Sequence, residues 1–236
     1  MKAQEYIKKI EIQLSNWMTE IGFVNDKKDS FLFTKRQKLY IDHVGISIEK
    51  HGDCIVGYVQ IYTRKIALIE SYWEEYKETP LKITGGISKT FGDDFPKNFL
   101  FSEHNRPKSI ANWANWREAA PDMVEKICEK VKSDYYDLVL PKLMEYSNIH
   151  KLDTIANGED RTFSLGNSER YFRKLIIARL SGNPNYESIY EEMTGMYKKI
   201  ILDEPTDGYY QNQLWVIEQL YEKLKNVQPL ENPILI

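Results

Sequence analysis

A change of hydrophobic period near residue 22 sets the tightest limit on what this chain can fold into. Tyr6, Ile7, Ile10, Leu14, Trp17, Met18 and Ile21 recur at spacings of three and four. They therefore share one side of an α-helix over residues 3–21, with Lys8, Lys9, Glu11 and Gln13 on the other. Gly22 follows at once, the residue best suited to the left-handed position that ends a helix. Beyond it the period falls to two. Tyr40, Val44, Ile46 and Ile48 fall on one face of an extended segment, and His43, Gly45 and Ser47 on the other. A helix with one apolar side and a strand with one apolar face bury those surfaces most simply against each other.

The polar cluster over residues 25–30 leads into a short strand over 31–35, and Lys50-His51-Gly52-Asp53 reads as a turn between two longer runs. The second run, over 54–62, carries Ile55, Val56, Tyr58, Val59, Ile61 and Tyr62. Strands joined by such short connections pair antiparallel, because parallel pairing needs a long crossover. Ile69, Tyr72, Trp73 and Tyr76 return to helical spacing, and Pro80 closes that helix. Two further short strands are expected over 83–87 and 98–101, separated by the turn Gly92-Asp93-Asp94.

From Pro121 the pattern is helical. Met123, Val124, Ile127, Cys128 and Val131 make one apolar stripe, and Tyr135, Leu138, Val139, Leu143 and Met144 another, which Pro141 kinks or divides. The polar break Asn157-Gly158-Glu159-Asp160 divides an α+β domain over 1–157 from a helical extension over 158–236 packed on it. Three helices follow, over 170–180, 186–202 and 209–224. The tail over 228–236, with two prolines, either docks in an extended form or stays loose. The fold class is thus α+β: an N-terminal helix packed on an antiparallel sheet, then a C-terminal helical region.

The order of elements carries a resemblance. A helix, then Gly22-Phe23, then the strand Phe31-Leu32-Phe33 and two longer strands resembles the uncharacterised bacterial DUF4304 family. Trp113 to Arg117, the helix from Pro121 and the run Leu140-Pro141-Lys142-Leu143 fit the same layout. The resemblance spans residues 3–157, rests on order and not on a diagnostic motif, and implies a fold but no activity. Some small bacterial proteins of comparable layout are immunity proteins against toxins, which suggests that role by analogy.

Charge and cysteine usage narrow the function classes. The 32 basic and 35 acidic residues leave a net charge of −3, too balanced to draw the chain to nucleic acid or an anionic membrane. Cys54 and Cys128 stand far apart with no cysteine or histidine at ligand spacing, so neither a disulfide framework nor a zinc site is expected. The charged first turns lack the apolar core of a signal peptide, and no run is long enough to span a bilayer, so a cytoplasmic location is expected.

Candidate chemistry is sparse. The run over 84–90, Thr-Gly-Gly-Ile-Ser-Lys-Thr, fails as a phosphate loop, since Ser88 and Ile83 stand where glycines are required. His43, His51, His104 and His150 form no ligand motif, and no Gly-x-Ser-x-Gly elbow is present. Both cysteines read as small buried hydrophobes. Glu74-Glu75 and Glu191-Glu192 diverge by about 100° on a helix and read as solvated faces. Asp93 and Asp94, in a loop, with His104 downstream, are the one polar cluster a fold could assemble. Trp113, Trp116 and Arg117 are of the residue types that dominate binding hot spots, and on a helix Trp113 would share a face with Trp116 or Arg117. A core position joining sheet to helices competes with that reading of the tryptophans.

Two functions follow, and no cofactor is implied by either. One is a non-enzymatic intracellular protein-binding module, for example an inhibitor or immunity protein, built on Trp113, Trp116 and Arg117. The other is an enzyme or small-molecule binder whose site, around Asp93, Asp94 and His104, forms only in the fold.

Overall fold

The computed structural model describes residues 3–25, 31–52, 54–76, 103–104, 113–115, 122–158, 170–205 and 208–236. Its contacts divide the chain into two compact units, one of residues 1–64 and 102–145, the other of residues 65–101 and 146–236. The break expected at 157/158 falls inside the second unit, between two helices that pack together.

In the first unit, helix α1 (Ala3–Glu20) buries Tyr6, Ile10, Leu14, Trp17 and Met18, the stripe read from the sequence. Gly22 sits at φ 89°, and the Phe23 N–H reaches back to the Met18 carbonyl at 2.9 Å, closing the helix in the Schellman manner. The Lys35 ammonium adds a bond to the Ile21 carbonyl, 2.9 Å away, where the helix dipole is negative.

The sheet runs in the order β1 (Val24–Asn25), β2 (Leu32–Arg36), β3 (Tyr40–His51), β4 (Cys54–Ile66) and β5 (Glu103–His104), with β6 (Trp113–Asn115) also paired to β4. Register is fixed by Phe33 opposite Val44 and Thr34 opposite His43, so alternate residues separate cleanly onto two faces. Phe33, Val44 and Ile46 are buried on one face, and α1 packs against β3. The other face carries a Thr34–His43 hydrogen bond at 3.0 Å, and a Glu49 carboxylate that accepts from Ser47 at 3.0 Å and from Tyr58 at 2.5 Å. The antiparallel sheet and the helix on it are as expected, whereas the expected strands over 83–87 and 98–101 lie outside the described residues.

Helix α3 (Met123–Asp134) lies over β4 at Gly57, where a Cβ would stand 2.7 Å from the Ile127 side chain and 3.2 Å from Val131. Glycine is needed there for close approach. A five-residue π-helix, Tyr135–Val139, joins α3 to α4 (Leu140–Glu145), and the Leu140 N–H reaches the Tyr135 carbonyl five residues back. Pro141 explains it. Proline cannot donate to the carbonyl four residues earlier and its ring collides with that carbonyl, so the preceding turn widens.

The second unit holds α2 (Ala67–Ser71), a 3-10 turn (Glu74–Tyr76), α5 (Ile149–Asn157), α6 (Arg170–Ser181), α7 (Tyr186–Asp203) and α8 (Gly208–Leu224). Helix α6 packs against α2, α5, α7 and α8, and Phe172, Leu175, Ile176, Val216, Ile217 and Leu220 are buried. The Asn148 side chain caps α5, accepting from the His150 and Lys151 N–H groups at 3.0 and 3.1 Å. The tail docks. Its Pro233 carbonyl accepts from the Ile149 N–H, its Leu235 N–H donates to the Ser147 carbonyl, both at 2.8 Å, and Leu235 is buried. Among the described residues, no helix is long and apolar enough to cross a membrane.

Gly57→Ala is expected to lower stability by roughly 1–3 kcal/mol, because the added methyl meets branched side chains of a packed helix. Thermal unfolding of the variant beside the parent checks this, and an unchanged midpoint would mean α3 is not seated on β4 at that point.

Candidate functional site

Asp93, Asp94, Trp116 and Arg117 lie outside the described residues. Trp113 and His104 do not, but only their backbones are described. Trp113 pairs with Val56 and His104 with Ile61, both on β4. Trp113 therefore stands on a strand, not on the helix that the spacing suggested. Its three-residue segment is held by a ladder to β4, and strand neighbours alternate faces, so the helical argument that grouped Trp113 with Trp116 and Arg117 does not apply.

The densest cluster of ionisable side chains in the first unit lies elsewhere. Strand β4 carries Arg64 and β3 carries Asp42, 22 positions apart in the chain and both almost fully buried. Arg64 donates Nε to Oδ1 and Nη2 to Oδ2 of Asp42, each at 2.6 Å, a bidentate fork that matches a carboxylate. Its Nη1 donates to the Leu143 carbonyl at 2.7 Å, in the last turn of α4, and its guanidinium lies 4.2 Å from the Tyr40 ring centre. Burial pushes the Asp42 carboxyl above its usual range, against the opposing pull of Arg64 and then of Lys35. Tyr135 stands beside this group, and burial, with smaller contributions from Asp42 and Tyr136, pushes its phenol up to about 12.

Perturbed groups of this kind often mark an active site. Here each strong donor on Arg64 is spent on the protein itself, and both carboxylate oxygens of Asp42 accept from it. A substrate would have to break that fork to be bound by either residue. The cluster is an internal fastening, tying β3 and β4 to the end of α4.

The second unit repeats the device. Arg173 on α6 donates to both oxygens of Glu70 on α2, at 2.8 and 3.1 Å, with the Trp73 ring centre 5.1 Å from the guanidinium. Both side chains are buried, and Lys65 approaches Glu70 at 3.9 Å. Cys128, buried on α3, has its thiol pushed up to about 11 by burial, which removes it as a nucleophile near neutral pH. Among the described residues, no group of three or more His, Cys, Asp or Glu side chains gathers to hold a metal ion.

What the second unit displays outward is aromatic. Trp215 on α8 is 43% exposed, and its ring meets Tyr76 edge to face at 6.0 Å. Lys223, two turns along the same helix, donates to the Tyr72 carbonyl at 2.9 Å and to Glu75 at 2.7 Å, and lies about 6 Å from the Tyr72 and Tyr76 rings. On the opposite flank of α8, Tyr221 stacks on Tyr190 of α7 at 3.8 Å and on Tyr186 at 5.7 Å. The outer face of α8 thus runs from one aromatic group to another, with Trp215, Glu218 and Glu222 between them. Trp215 went unremarked in the sequence because it completes no motif and fits the helical pattern of its segment.

The Tyr135 phenol gives a pH signature for the buried cluster. An unfolded phenol titrates at its ordinary value of 10.0, whereas the folded one waits until about 12. Its contribution to stability is therefore complete below pH 10 and is lost as pH rises from 10 to about 12, by roughly 2–3 kcal/mol. Tyr135→Phe is expected to flatten the fall of stability over that window. Denaturant unfolding at stepped alkaline pH measures it, and an equal fall in parent and variant would deny the shift.

Comparison of the chain with protein-family models, curated proteins and solved structures finds no match.

Proposed function

We propose that this protein is a non-enzymatic, intracellular protein-binding module that engages its partner through the outer face of α8. One observation carries the reading: Trp215 is 43% exposed at the centre of a helix face flanked by tyrosines, while the strongest charged groups of each unit are bonded internally. A folded protein gains nothing by leaving an indole in water. A partner that covers it gains large apolar area and a ring N–H contact, which is why tryptophan and tyrosine recur as binding anchors. Tyr76 and Lys223 hold the flank of that indole in place, so little side-chain freedom is left to lose on binding. An inhibitor or immunity protein would use a surface of this kind, preformed on rigid helices, and the unbridged Cys54 and Cys128 suit a reducing compartment.

Trp215→Ala is expected to abolish capture of the partner from native cell extract while shifting thermal unfolding little, since nearly half the side chain already faces water. Affinity capture with parent and variant as bait, alongside their unfolding curves, makes the test. Retained capture by a folded variant removes the α8 face from the binding surface.

A further inference from the structure

We propose that the seat formed by Tyr190 and Glu218 on the α7–α8 flank binds an arginine side chain presented by the partner protein. The inference rests on the protein-binding reading above and adds the chemistry of the partner. Three tyrosines line this flank with nearly parallel rings: Tyr221 is inclined 16° to Tyr186 and 11° to Tyr190. The chain already places cations on two of them. The Arg179 guanidinium lies 5.4 Å from the Tyr186 ring centre, and the Lys225 ammonium 4.9 Å from that of Tyr221. Among the described residues, no cation covers Tyr190.

The surrounding charges are unequal in the same sense. Arg179 is held by the Val227 and Lys225 carbonyls at 2.7 and 2.9 Å, Lys225 pairs with Glu222 at 2.7 Å, and Glu187 accepts from the Tyr221 hydroxyl. Glu218 has no counter-ion among the described residues. Its carboxylate, with that of Glu222, adds to burial in raising the Tyr190 phenol. An uncapped aromatic ring beside an unpaired carboxylate asks for a flat cation that can stack on the ring and fork onto the carboxylate. Guanidinium does both, whereas a compact, strongly hydrated ammonium does only the second. Trp215 lies on the same helix less than one turn before Glu218, so one partner segment can cover the indole and place an arginine on Tyr190.

The test titrates the full chain calorimetrically with a short arginine-rich peptide and with the same peptide carrying citrulline, a neutral isostere, at low salt. The arginine peptide is expected to bind, with roughly tenfold weaker binding for the citrulline peptide and for the Glu218→Gln protein. Tyr190→Leu should weaken it similarly, and Glu218→Gln covers the case in which the tyrosine variant does not fold. Equal binding of the two peptides, an unchanged affinity for Glu218→Gln, or no binding of the arginine peptide each overturns the proposal. Capture of the native partner separates the two readings. If Trp215→Ala loses the partner while Glu218→Gln and Tyr190→Leu keep it, the α8 surface stands and the arginine seat falls.

Discussion

The bidentate contact between Arg64 and Asp42 is the constraint around which the first unit is arranged. A buried guanidinium tolerates no missing partner, because the desolvation of the charge is recovered only by near-perfect geometry and by hydrogen bonds to its remaining N–H groups. Asp42 on β3 supplies the fork, the Leu143 carbonyl supplies the third bond, and the Tyr40 ring covers the plane. Three conditions must hold together. Strands β3 and β4 must pair in one register, α4 must end at one height, and the turn before it must widen at Tyr135–Val139 so that Leu143 arrives there. Apolar packing of α1 and α3 drives the unit together. The charged pair adds the discrimination between one arrangement and its near neighbours, since any one-residue slip would strand a charge.

The second unit meets the same physics with a different pair. Glu70 and Arg173 join the short α2 to α6, with Trp73 packed on the guanidinium. Each unit thus encloses its own ion pair, and neither arginine is left with the fork a carboxylate or phosphate substrate would need. This distribution is the physical reason for reading the molecule as a binding module. Its outward-facing groups are rings and carboxylates on α7 and α8, set on rigid helices whose inner faces are closed by Phe172, Ile176 and Leu220.

Much of the architecture was legible in residue spacing, because periodicity reports which faces are buried. The Tyr6-to-Met18 stripe, the stop at Gly22 and the two-residue alternation of β3 all reappear as helix, cap and strand. Pro141 announced a disturbance, although its form, a widened turn, needed the neighbouring packing to show itself. Helix α5 was missed, yet Asn148 before Ile149, Leu152 and Ala156 was a readable cap and stripe. Other features left no local signal. Asp42 and Arg64 sit 22 positions apart and look like ordinary strand residues, and Asn212 and Gln213 are buried on α8 where polarity suggested solvent. Trp113 misled because a cluster of Trp and Arg at helical spacing is indistinguishable from a strand segment until its partner, β4, is known. Trp215 offered no motif, since exposure is a property of the fold and not of the residue.

The central claim is that Asp42 and Arg64 act as one unit whose halves are harmful apart. A double-mutant cycle in thermal or denaturant unfolding, with Asp42→Leu, Arg64→Met and both together, tests it directly. The account predicts that each single replacement costs roughly 3–5 kcal/mol, because it leaves an uncompensated buried charge, and that the double variant recovers most of that loss. Additive losses in the double variant would contradict it and would reduce the pair to two independent contacts.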